Sequence, residues 1–258
     1  MSGQAQRSPE FVRSLERGLT VIKSFSRETP TLTLSEIADR AGLNRAAARR
    51  FLLTLKDLGY VETDGRAFSL RPRVLELGYS YLSSLPVWEV ARPHMEDLAD
   101  RVMETTSASV LDGTDIVFVA RVGAKRIMSM TLGVGSRLPA WATAMGRILL
   151  AELSPEHLDL YFEKATLAPL TSGTVTDEGR LREIIAEAAR RGWILVDQEV
   201  EDGIRSLAVP IRNPDGVVEV ALTVCSHASR ASAERIVEEF LPLAQEACRR
   251  VTSELARL

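Results

Sequence analysis

The chain has 258 residues, of which 45% are hydrophobic and 26% charged, and its formal net charge is −3. That length accommodates two domains, each with its own core. No apolar run approaches the ~18 residues of a membrane-spanning helix, the N-terminus does not resemble a signal peptide, and two cysteines are too few for a disulfide framework, so we expect a cytoplasmic protein without membrane contacts.

The charges are unevenly distributed along the chain. Residues 1–85 hold 13 Lys and Arg against 9 Asp and Glu, a net charge of +4, whereas residues 86–258 hold 19 against 26, a net charge of −7. A positive excess is the electrostatic footprint of a nucleic-acid-binding domain. The distribution therefore favours DNA contacts in the N-terminal part and opposes them in the acidic remainder.

After a polar tail, residues 11–71 predict a small helical domain. Its first helix spans about residues 11–25. The face that we expect to be buried carries apolar residues at helical spacing, namely Leu15, Leu19, Ile22 and Phe25.

The two helices that follow form the most informative segment of the chain. Thr33 and Glu36 have the spacing of a capping box at the start of the first helix. Gly42 permits the sharp turn of a helix-turn-helix, and Asn44 is a suitable N-cap for the second helix. Because arginine pairs bidentately with guanine or phosphate, the exposed start of this second helix predicts DNA contacts. The residues expected there are Arg45, Ala46, Arg49 and Arg50.

A β-hairpin is predicted directly after the recognition helix. Residues 60–63 and 66–70 flank Asp64-Gly65, a pair favoured in two-residue type I′ turns. Such a hairpin is the wing of a winged helix, and Arg66 at its tip is placed to contact a phosphate or the minor groove. The alternative is an ordinary pair of helices followed by a hairpin, with the arginines as solvated charges.

Residues 72–86 predict a linker helix with Pro72 in its first turn. Its apolar residues recur at helical spacing and are Val74, Leu77, Tyr81 and Leu85. Such a stripe packs either on the same helix of a second subunit or on the domains of its own chain, and the periodicity leaves both possibilities open.

Residues 87–258 predict an α+β domain. Helices are expected over residues 88–104, 143–151, 177–191 and 232–258, with a further helix that opens at Ser154-Pro155. Strands are expected over residues 107–111, 116–121, 126–132, 193–197, 207–211 and 217–225. Mostly antiparallel strands interleaved with helices indicate a GAF- or PAS-like sheet that is flanked by helices.

The sequence contains no motif that predicts an enzyme, a cofactor site or a metal site. Dinucleotide-binding and Walker-type phosphate loops are absent, and no serine lies in a nucleophile-elbow pattern. Cys225 and His227 are the closest pair of metal-ligating residues, and without further ligands nearby we expect both to be structural.

Residues 135–147 form a candidate binding site, since they leave a strand and enter a helix, whose free N–H groups favour anions. The Trp141 ring can pack against a ligand, and the Arg137 guanidinium can donate two parallel hydrogen bonds to a carboxylate. The alternative is a tight packing junction with surface arginines.

Three segments resemble the IclR family of bacterial transcriptional regulators. They are ERGLTVIKSF at residues 16–25, LSEIADRAGL at 34–43 and GWILVDQEVEDGIRSLAVPI at 192–211. Further segments, among them RPRVLELGYSYLSSL and RLPAWATAMGR, are similar to the branch of that family that regulates the β-ketoadipate pathway, to which PcaR, PcaU and PobR belong. The resemblance extends from about Ser14 to the C-terminus.

The resemblance implies a winged helix, a linker helix and an effector-binding domain, assembled as a dimer or a pair of dimers on double-stranded operator DNA. It also implies an effector site between the sheet and the helix that follows Leu138-Pro139. The residues that it places on one side of that site are Ile127, Met130, Leu138, Ala144 and Met145. Those on the other side are Val196, Ile204, Ser206, Thr223 and Cys225.

One position departs from the pattern of the family. Many members that bind small keto acids carry an acidic residue where this chain has Val196. An apolar residue there favours an aromatic or longer aliphatic acid over a small polar one such as glyoxylate.

The expected function is therefore DNA-binding regulation of aromatic-acid catabolism in response to a small carboxylate, such as protocatechuate, 4-hydroxybenzoate or β-ketoadipate. One alternative is a repressor of the same family that responds to an unrelated small organic acid. An enzyme with an autoregulatory winged helix is opposed by the lack of a catalytic set. An architectural DNA binder is opposed by a second domain of about 170 residues.

Overall fold

The computed structural model of the chain describes residues 8–26, 28–84, 86–123 and 132–257. Its contacts divide the chain into two compact units, Met1–Tyr81 and Leu82–Leu258, and each unit is described by itself. The finer division into residues 11–71, 72–86 and 87–258 stays a prediction.

Up to Leu70, the described residues of the first unit form three helices and a small antiparallel sheet. In chain order its elements are α1 (Arg13–Lys23), β1 (Thr31–Thr33), α2 (Leu34–Arg40), α3 (Arg45–Asp57), β2 (Val61–Thr63) and β3 (Ala67–Leu70). Strand β3 lies between β1 and β2 and is antiparallel to both. The apolar core is formed by Val21, Leu32, Ile37, Leu52, Leu55 and Val61. Strand β1 was not predicted, because three residues are too few to show an alternating pattern.

The buried face of α1 agrees with the prediction only in part, because Ile22 and Phe25 pack against the core whereas Leu15 and Leu19 do not. Leu15 and Leu19 are 63% and 43% exposed, whereas Val21 is fully buried. The helix packs on α3 through Gly18, where a Cβ atom would lie 3.8 Å from the Phe51 ring. Residues 18, 21, 22 and 25 recur at helical spacing just as residues 15, 19 and 22 do, so the apolar pattern alone did not distinguish the two faces.

The wing turn also differs from the predicted type I′ turn. Thr63 pairs with Phe68, which leaves four residues between the paired positions instead of two. The cause is the Asp64 side chain, whose Oδ1 accepts the backbone N–H groups of Arg66 and Ala67, each at 2.8 Å. These bonds stabilise a wider loop, and they lower the pKa of Asp64, with the Ala67 bond as the larger cause.

The linker segment begins with a 3₁₀ turn (Pro72–Val74) and continues as α4 (Leu75–Leu82). Four apolar side chains of α4 are exposed, namely Leu75, Leu77, Tyr79 and Tyr81. Val74 is half-buried, and Leu85 lies outside the described residues.

The second unit is an α+β domain around one six-stranded sheet. Its helices are α5 (Pro86–Val102), α6 (Ala144–Leu150), α7 (Pro155–Lys164), α8 (Glu178–Arg191), α9 (Ala233–Arg235) and α10 (Leu241–Leu255), with a π-helical turn (Ile236–Phe240) between the last two. Its strands are β4 (Thr105–Asp112), β5 (Asp115–Val122), β6 (Arg137–Pro139), β7 (Ile194–Asp197), β8 (Ile204–Arg212) and β9 (Val218–His227). The strand order is β6-β5-β4-β9-β8-β7, and every neighbouring pair is antiparallel. The predicted α+β fold is confirmed.

Each face of this sheet is covered by a separate apolar core. Helices α5 and α10 cover one face, with Met95 and Val251 among their buried residues. The Thr106 hydroxyl of β4 donates to the Met95 carbonyl at 3.1 Å, which ties this strand to α5. The other face is covered by α6 and α8, with Trp141 and Leu181 in its core. Since successive residues of a strand point to opposite faces, strands β4, β5, β7, β8 and β9 contribute residues to both cores.

The strand predicted over residues 126–132 falls almost entirely outside the described residues. Within the ranges that the structure describes, no helix is both long and apolar enough to cross a membrane.

Candidate DNA-binding surface and effector cavity

The recognition helix α3 is held at its start by side-chain hydrogen bonds. Thr33 and Glu36 form the predicted capping box on α2, with the Thr33 N–H donating to Glu36 Oε2 at 2.7 Å. Gly42 has a φ of +62°, a conformation that suits glycine and turns the chain sharply. Asn44 Oδ1 then accepts the Ala47 N–H at 2.8 Å and caps α3.

The predicted DNA-contacting residues lie on an exposed surface. Arg45, Ala46, Arg49 and Arg50 are exposed on α3, and Arg66 is exposed at the wing tip. Among the described residues, none of these four arginines has an ion pair or a side-chain hydrogen bond. Their guanidinium groups are available to a polyanion.

Two other arginines of the first unit, Arg40 and Arg73, have structural partners. Arg40 donates to the Ser24 carbonyl at 3.0 Å and to Thr29 at 2.6 Å. Arg73 donates to the Leu58 carbonyl at 2.9 Å and lies over the Tyr60 ring. Arg40 and Arg73 therefore stabilise the fold, unlike the unpaired arginines of α3 and the wing.

The second unit encloses a cavity of about 40 Å³ between its sheet and α6. The residues that line it are Phe118, Arg121, Leu132, Leu138, Thr143, Ala144, Met145, Val200, Ile204, Ser206, Thr223 and Cys225. The lining is largely apolar. Arg121 carries its only positive charge among the described residues.

Seven of the residues expected at an effector site line this cavity, namely Leu138, Ala144, Met145, Ile204, Ser206, Thr223 and Cys225. Ile127 and Met130 lie outside the described residues. The Ser206 hydroxyl lies 3.4 Å from Cys225 Sγ, and the Thr223 hydroxyl donates to the Leu207 carbonyl at 2.6 Å. Burial raises the pKa of the Cys225 thiol, so this group stays neutral.

Arg137 does not line the cavity. Its guanidinium donates to Asp112 at 2.6 Å and to Asp115 at 3.1 Å, and these bonds, the Asp112 bond first, raise the pKa of Arg137. The side chain is half-exposed at the edge strand β6. In this structure its charge is neutralised by two carboxylates at the surface.

Val196 lies beside the cavity without lining it. It pairs in register with Ser206, yet its own side chain is buried in the apolar core under α6 and α8. A carboxylate introduced at Val196 would therefore lie in the core and destabilise the fold instead of reporting on a ligand.

Five lining residues were not predicted as effector-binding residues, namely Phe118, Arg121, Leu132, Thr143 and Val200. Of these, Arg121 left a signal in the sequence. It stands in DIVFVARV, a strand that is otherwise apolar after its first residue. An arginine at such a position is unusual unless it has a partner or a function.

Helix α6 is fixed against the sheet by close packing and a buried ion pair. Gly146 lies against the backbone of Ala140, and the Thr143 hydroxyl caps the helix by accepting the Gly146 N–H at 3.0 Å. Arg147 makes two parallel bonds to Glu199, at 2.8 and 2.6 Å, and a third to the Trp141 carbonyl at 2.8 Å. The cavity wall that α6 provides is therefore rigidly placed.

The Glu199 carboxylate also organises the neighbouring loop. It accepts the Val175 N–H at 3.0 Å, while the Thr174 hydroxyl donates to the Glu199 carbonyl at 2.6 Å. In the part of the chain that the structure describes, no three ligating side chains are grouped to hold a metal ion.

A winged helix with unpaired arginines on its recognition helix, in one chain with a domain that encloses a cavity, defines a DNA-binding regulator with an effector domain. The IclR helix-turn-helix domain matches residues 14–65, and the bacterial transcriptional regulator IclR C-terminal domain matches residues 79–253. The chain belongs to the IclR family of transcriptional regulators. This confirms the predicted family and the prediction that the protein is a regulator, not an enzyme.

The relatives of the chain cover nearly all of it. The Pca regulon regulatory protein of Pseudomonas putida is 42% identical over 248 residues, which are 96% of this chain and 85% of that protein. A solved structure of a transcriptional regulator from Rhodococcus sp. RHA1 has a TM-score of 0.87 and 46% identity, and covers 96% of this chain and 99% of its own. The solved structure of an IclR homologue from Microbacterium hydrocarbonoxydans, complexed with 4-hydroxybenzoate, has a TM-score of 0.85 and 30% identity. The match covers 95% of this chain and 100% of that one.

Proposed function

We propose that this protein is a cytoplasmic transcriptional regulator of aromatic-acid catabolism. Its effector is a small carboxylate, of which protocatechuate, 4-hydroxybenzoate and β-ketoadipate are the candidates. The observation that carries the proposal is a largely apolar cavity whose described lining includes one arginine, in a chain similar to a Pca regulon regulator and to a homologue complexed with 4-hydroxybenzoate. Such a cavity suits a ligand with an apolar body and one anionic group.

Calorimetric titration of the full-length protein with these three acids tests the proposal. At least one of them should bind saturably, with one site per chain. If none binds, aromatic-acid sensing is excluded, while DNA binding is untouched by that result.

The size of the cavity favours a second candidate, namely the same regulator responding to a smaller organic acid. Its volume is about 40 Å³, whereas an engineered cavity of about 150 Å³ holds benzene. An aromatic acid therefore has to widen the cavity. Met145 and Leu138 in its wall have side chains that can change rotamer. Titration with glyoxylate and pyruvate beside the aromatic acids distinguishes the two candidates.

DNA binding should depend on the exposed arginines of the first unit. We propose that Arg45, Ala46 and Arg49 contact base edges and that Arg50 and Arg66 contact phosphates. Replacing a base-reading arginine by alanine should cost about 1–3 kcal/mol and relax specificity at one position of the operator. Loss of a phosphate contact should instead weaken binding to all sequences alike. It should also reduce the slope of the logarithm of the binding constant against the logarithm of the salt concentration by about one.

Fluorescence anisotropy with an operator obtained by in vitro selection, and with random DNA, measures both effects. Arg180→Ala is the control, since Arg180 is an exposed arginine on α8 in the other unit. Wild-type affinity and specificity in the Arg45→Ala and Arg49→Ala variants would contradict the assigned docking.

We further propose that the protein self-associates as a dimer or tetramer through α4. Exposed Leu77 and Tyr81 are four residues apart, so they lie on one side of this helix and give it an apolar surface that an isolated chain leaves in water. Effector binding would shift the equilibrium between subunit arrangements that space the two recognition helices differently along DNA.

The variant Leu77→Glu should weaken self-association, because a carboxylate would be buried without a partner in the interface. The matched control is Leu160→Glu on α7, where the leucine is 47% exposed against 50% for Leu77. Multi-angle light scattering over a dilution series gives the mass of each. A Leu77→Glu protein that dissociates no earlier than the control would remove α4 from the interface.

A further inference from the structure

The cavity has a row of polar residues on its sheet side. On β5, Arg121 stands directly opposite Ser107 of β4, which in turn stands opposite Thr223 of β9. Directly paired residues of antiparallel strands point to the same face of the sheet. Arg121 and Thr223 line the cavity, and Ser107 lies between them in the row.

Two members of this row lack the partners that buried polar groups normally have. The Ser107 hydroxyl is fully buried and accepts or donates no hydrogen bond. The Arg121 guanidinium is half-buried and, among the described residues, has no ion pair or hydrogen bond. Thr223 differs, because its hydroxyl is already bonded to the Leu207 carbonyl. Buried polar groups without a partner are rare, and such groups beside a cavity are candidates for contacts with a ligand.

We propose that Arg121 binds the carboxylate of the effector and that the Ser107 hydroxyl donates a hydrogen bond to the same group. The Cβ atoms of directly opposite residues are about 4.5–5.5 Å apart, so both side chains can reach one carboxylate. Phe118, Leu138 and Ile204 provide apolar contacts for the body of the ligand. This assignment rests on the proposed function and refines it: the cavity selects a monoanion with an apolar body over its neutral analogue.

Titration of the full-length protein with 4-hydroxybenzoate and with its neutral analogue 4-hydroxybenzamide tests the role of Arg121. The wild type should prefer the acid. Arg121→Gln should weaken binding of the acid by about 10- to 100-fold, the range expected for a hydrogen-bonded charge, and should leave binding of the amide within about threefold. Arg121→Lys, which keeps the charge, should retain a preference for the acid.

The control for this experiment is Arg137→Gln. It removes an arginine from the neighbouring strand, where the guanidinium is bound to Asp112 and Asp115 outside the cavity. This variant should keep the wild-type preference for the acid. A folded Arg121→Gln protein that still prefers the acid would overturn the assignment while leaving the proposed function intact. A wild-type protein that binds neither compound would overturn the assignment for 4-hydroxybenzoate, and it would overturn the proposed function only if protocatechuate and β-ketoadipate also fail to bind.

The variant Ser107→Ala tests the second half of the assignment. It removes a hydroxyl that has no partner, so the melting temperature without ligand should stay unchanged or rise. Affinity for 4-hydroxybenzoate should fall by about 3- to 10-fold, the size of one hydrogen bond. Ser226→Ala is the contrasting control, because that hydroxyl donates to Glu104 at 2.8 Å and its loss should lower stability. Unchanged affinity for 4-hydroxybenzoate in Ser107→Ala would exclude the hydroxyl from the site.

Discussion

Replacing Arg147 by methionine is expected to lower the free energy of unfolding of the effector domain by about 3–5 kcal/mol. Arg147 is 1% exposed. Its Nη1 and Nη2 atoms donate to the two oxygens of the Glu199 carboxylate, and its Nε donates to the Trp141 carbonyl. Without it, the buried Glu199 carboxylate keeps only the Val175 N–H as a described partner. An uncompensated buried charge is among the most destabilising changes that a domain can undergo.

Chemical denaturation followed by tryptophan fluorescence measures this change. All three tryptophans, Trp88, Trp141 and Trp193, belong to the second unit, so the signal reports on the effector domain. The control is Arg180→Met on α8. Arg180 forms an ion pair with Glu183 in which both side chains are exposed, so the pair should contribute no more than about 1 kcal/mol to the free energy of unfolding. Similar losses in the two variants would show that the Arg147 pair does not stabilise the domain beyond a surface pair.

A double variant separates the charge effect from lost packing. Adding Glu199→Gln to Arg147→Met removes the buried charge while the amide oxygen can still accept the Val175 N–H. The double variant should therefore be more stable than the sum of the two single changes predicts, by about 0.5–3 kcal/mol. Strict additivity would contradict a direct interaction between the two side chains.

The substitution Gly146→Ala should destabilise the same region by about 3 kcal/mol or more, at the upper end of overpacking effects. A Cβ at this position would lie 2.0 Å from the Ala140 carbonyl oxygen and 2.3 Å from its Cα. Because these atoms belong to the backbone, no change of rotamer relieves the clash. Helix α6 would have to move away from the turn that precedes it.

The contrasting variant is Gly179→Ala on α8. A Cβ there would lie 3.3 Å from Asp177 Oδ1, which belongs to a side chain that can move. Alanine also lowers the entropy of the unfolded chain, so the change in stability should stay within about 1 kcal/mol. Fluorescence-detected denaturation of both proteins decides the question: a Gly146→Ala variant as stable as Gly179→Ala would mean that α6 does not pack as closely as described.

Much of this fold could be predicted from local patterns. The capping box at Thr33 and the cap at Asn44 located α2 and α3, and alternating residues located β4 and β5. These features depend on residues that are close in sequence. The domain that follows α4 was recognised as α+β for the same reason.

The errors arose where a particular side-chain contact decides the outcome. The buried face of α1 packs on α3 where Gly18 lies next to the Phe51 ring, and residue spacing carries no information about that contact. In the wing, the Asp64 carboxylate selects a four-residue loop by binding two backbone N–H groups.

The candidate site was predicted unevenly for the same reason. Seven of the residues that the family resemblance implies at the effector site line the cavity, including Ser206 and Thr223, and their contact with an effector stays a prediction. Arg137 was a candidate carboxylate partner because of its place in residues 135–147, with a surface position as the alternative, and the structure shows it bound to two aspartates at the surface. Arg121 reaches the cavity because β5 lies beside β4 in the sheet, a pairing between strands that no local pattern describes.

Two adjacent residues of strand β4 point to opposite faces of the sheet, one towards the cavity and the other towards helix α5. Ser107 lies in the row beside the cavity, and its neighbour Thr106 points to the opposite face and is bonded to the Met95 carbonyl of α5. Helix α5 is the next helix along the chain after α4. A displacement of β4 by an occupied cavity would therefore be transmitted to α5 across one peptide bond and one hydrogen bond.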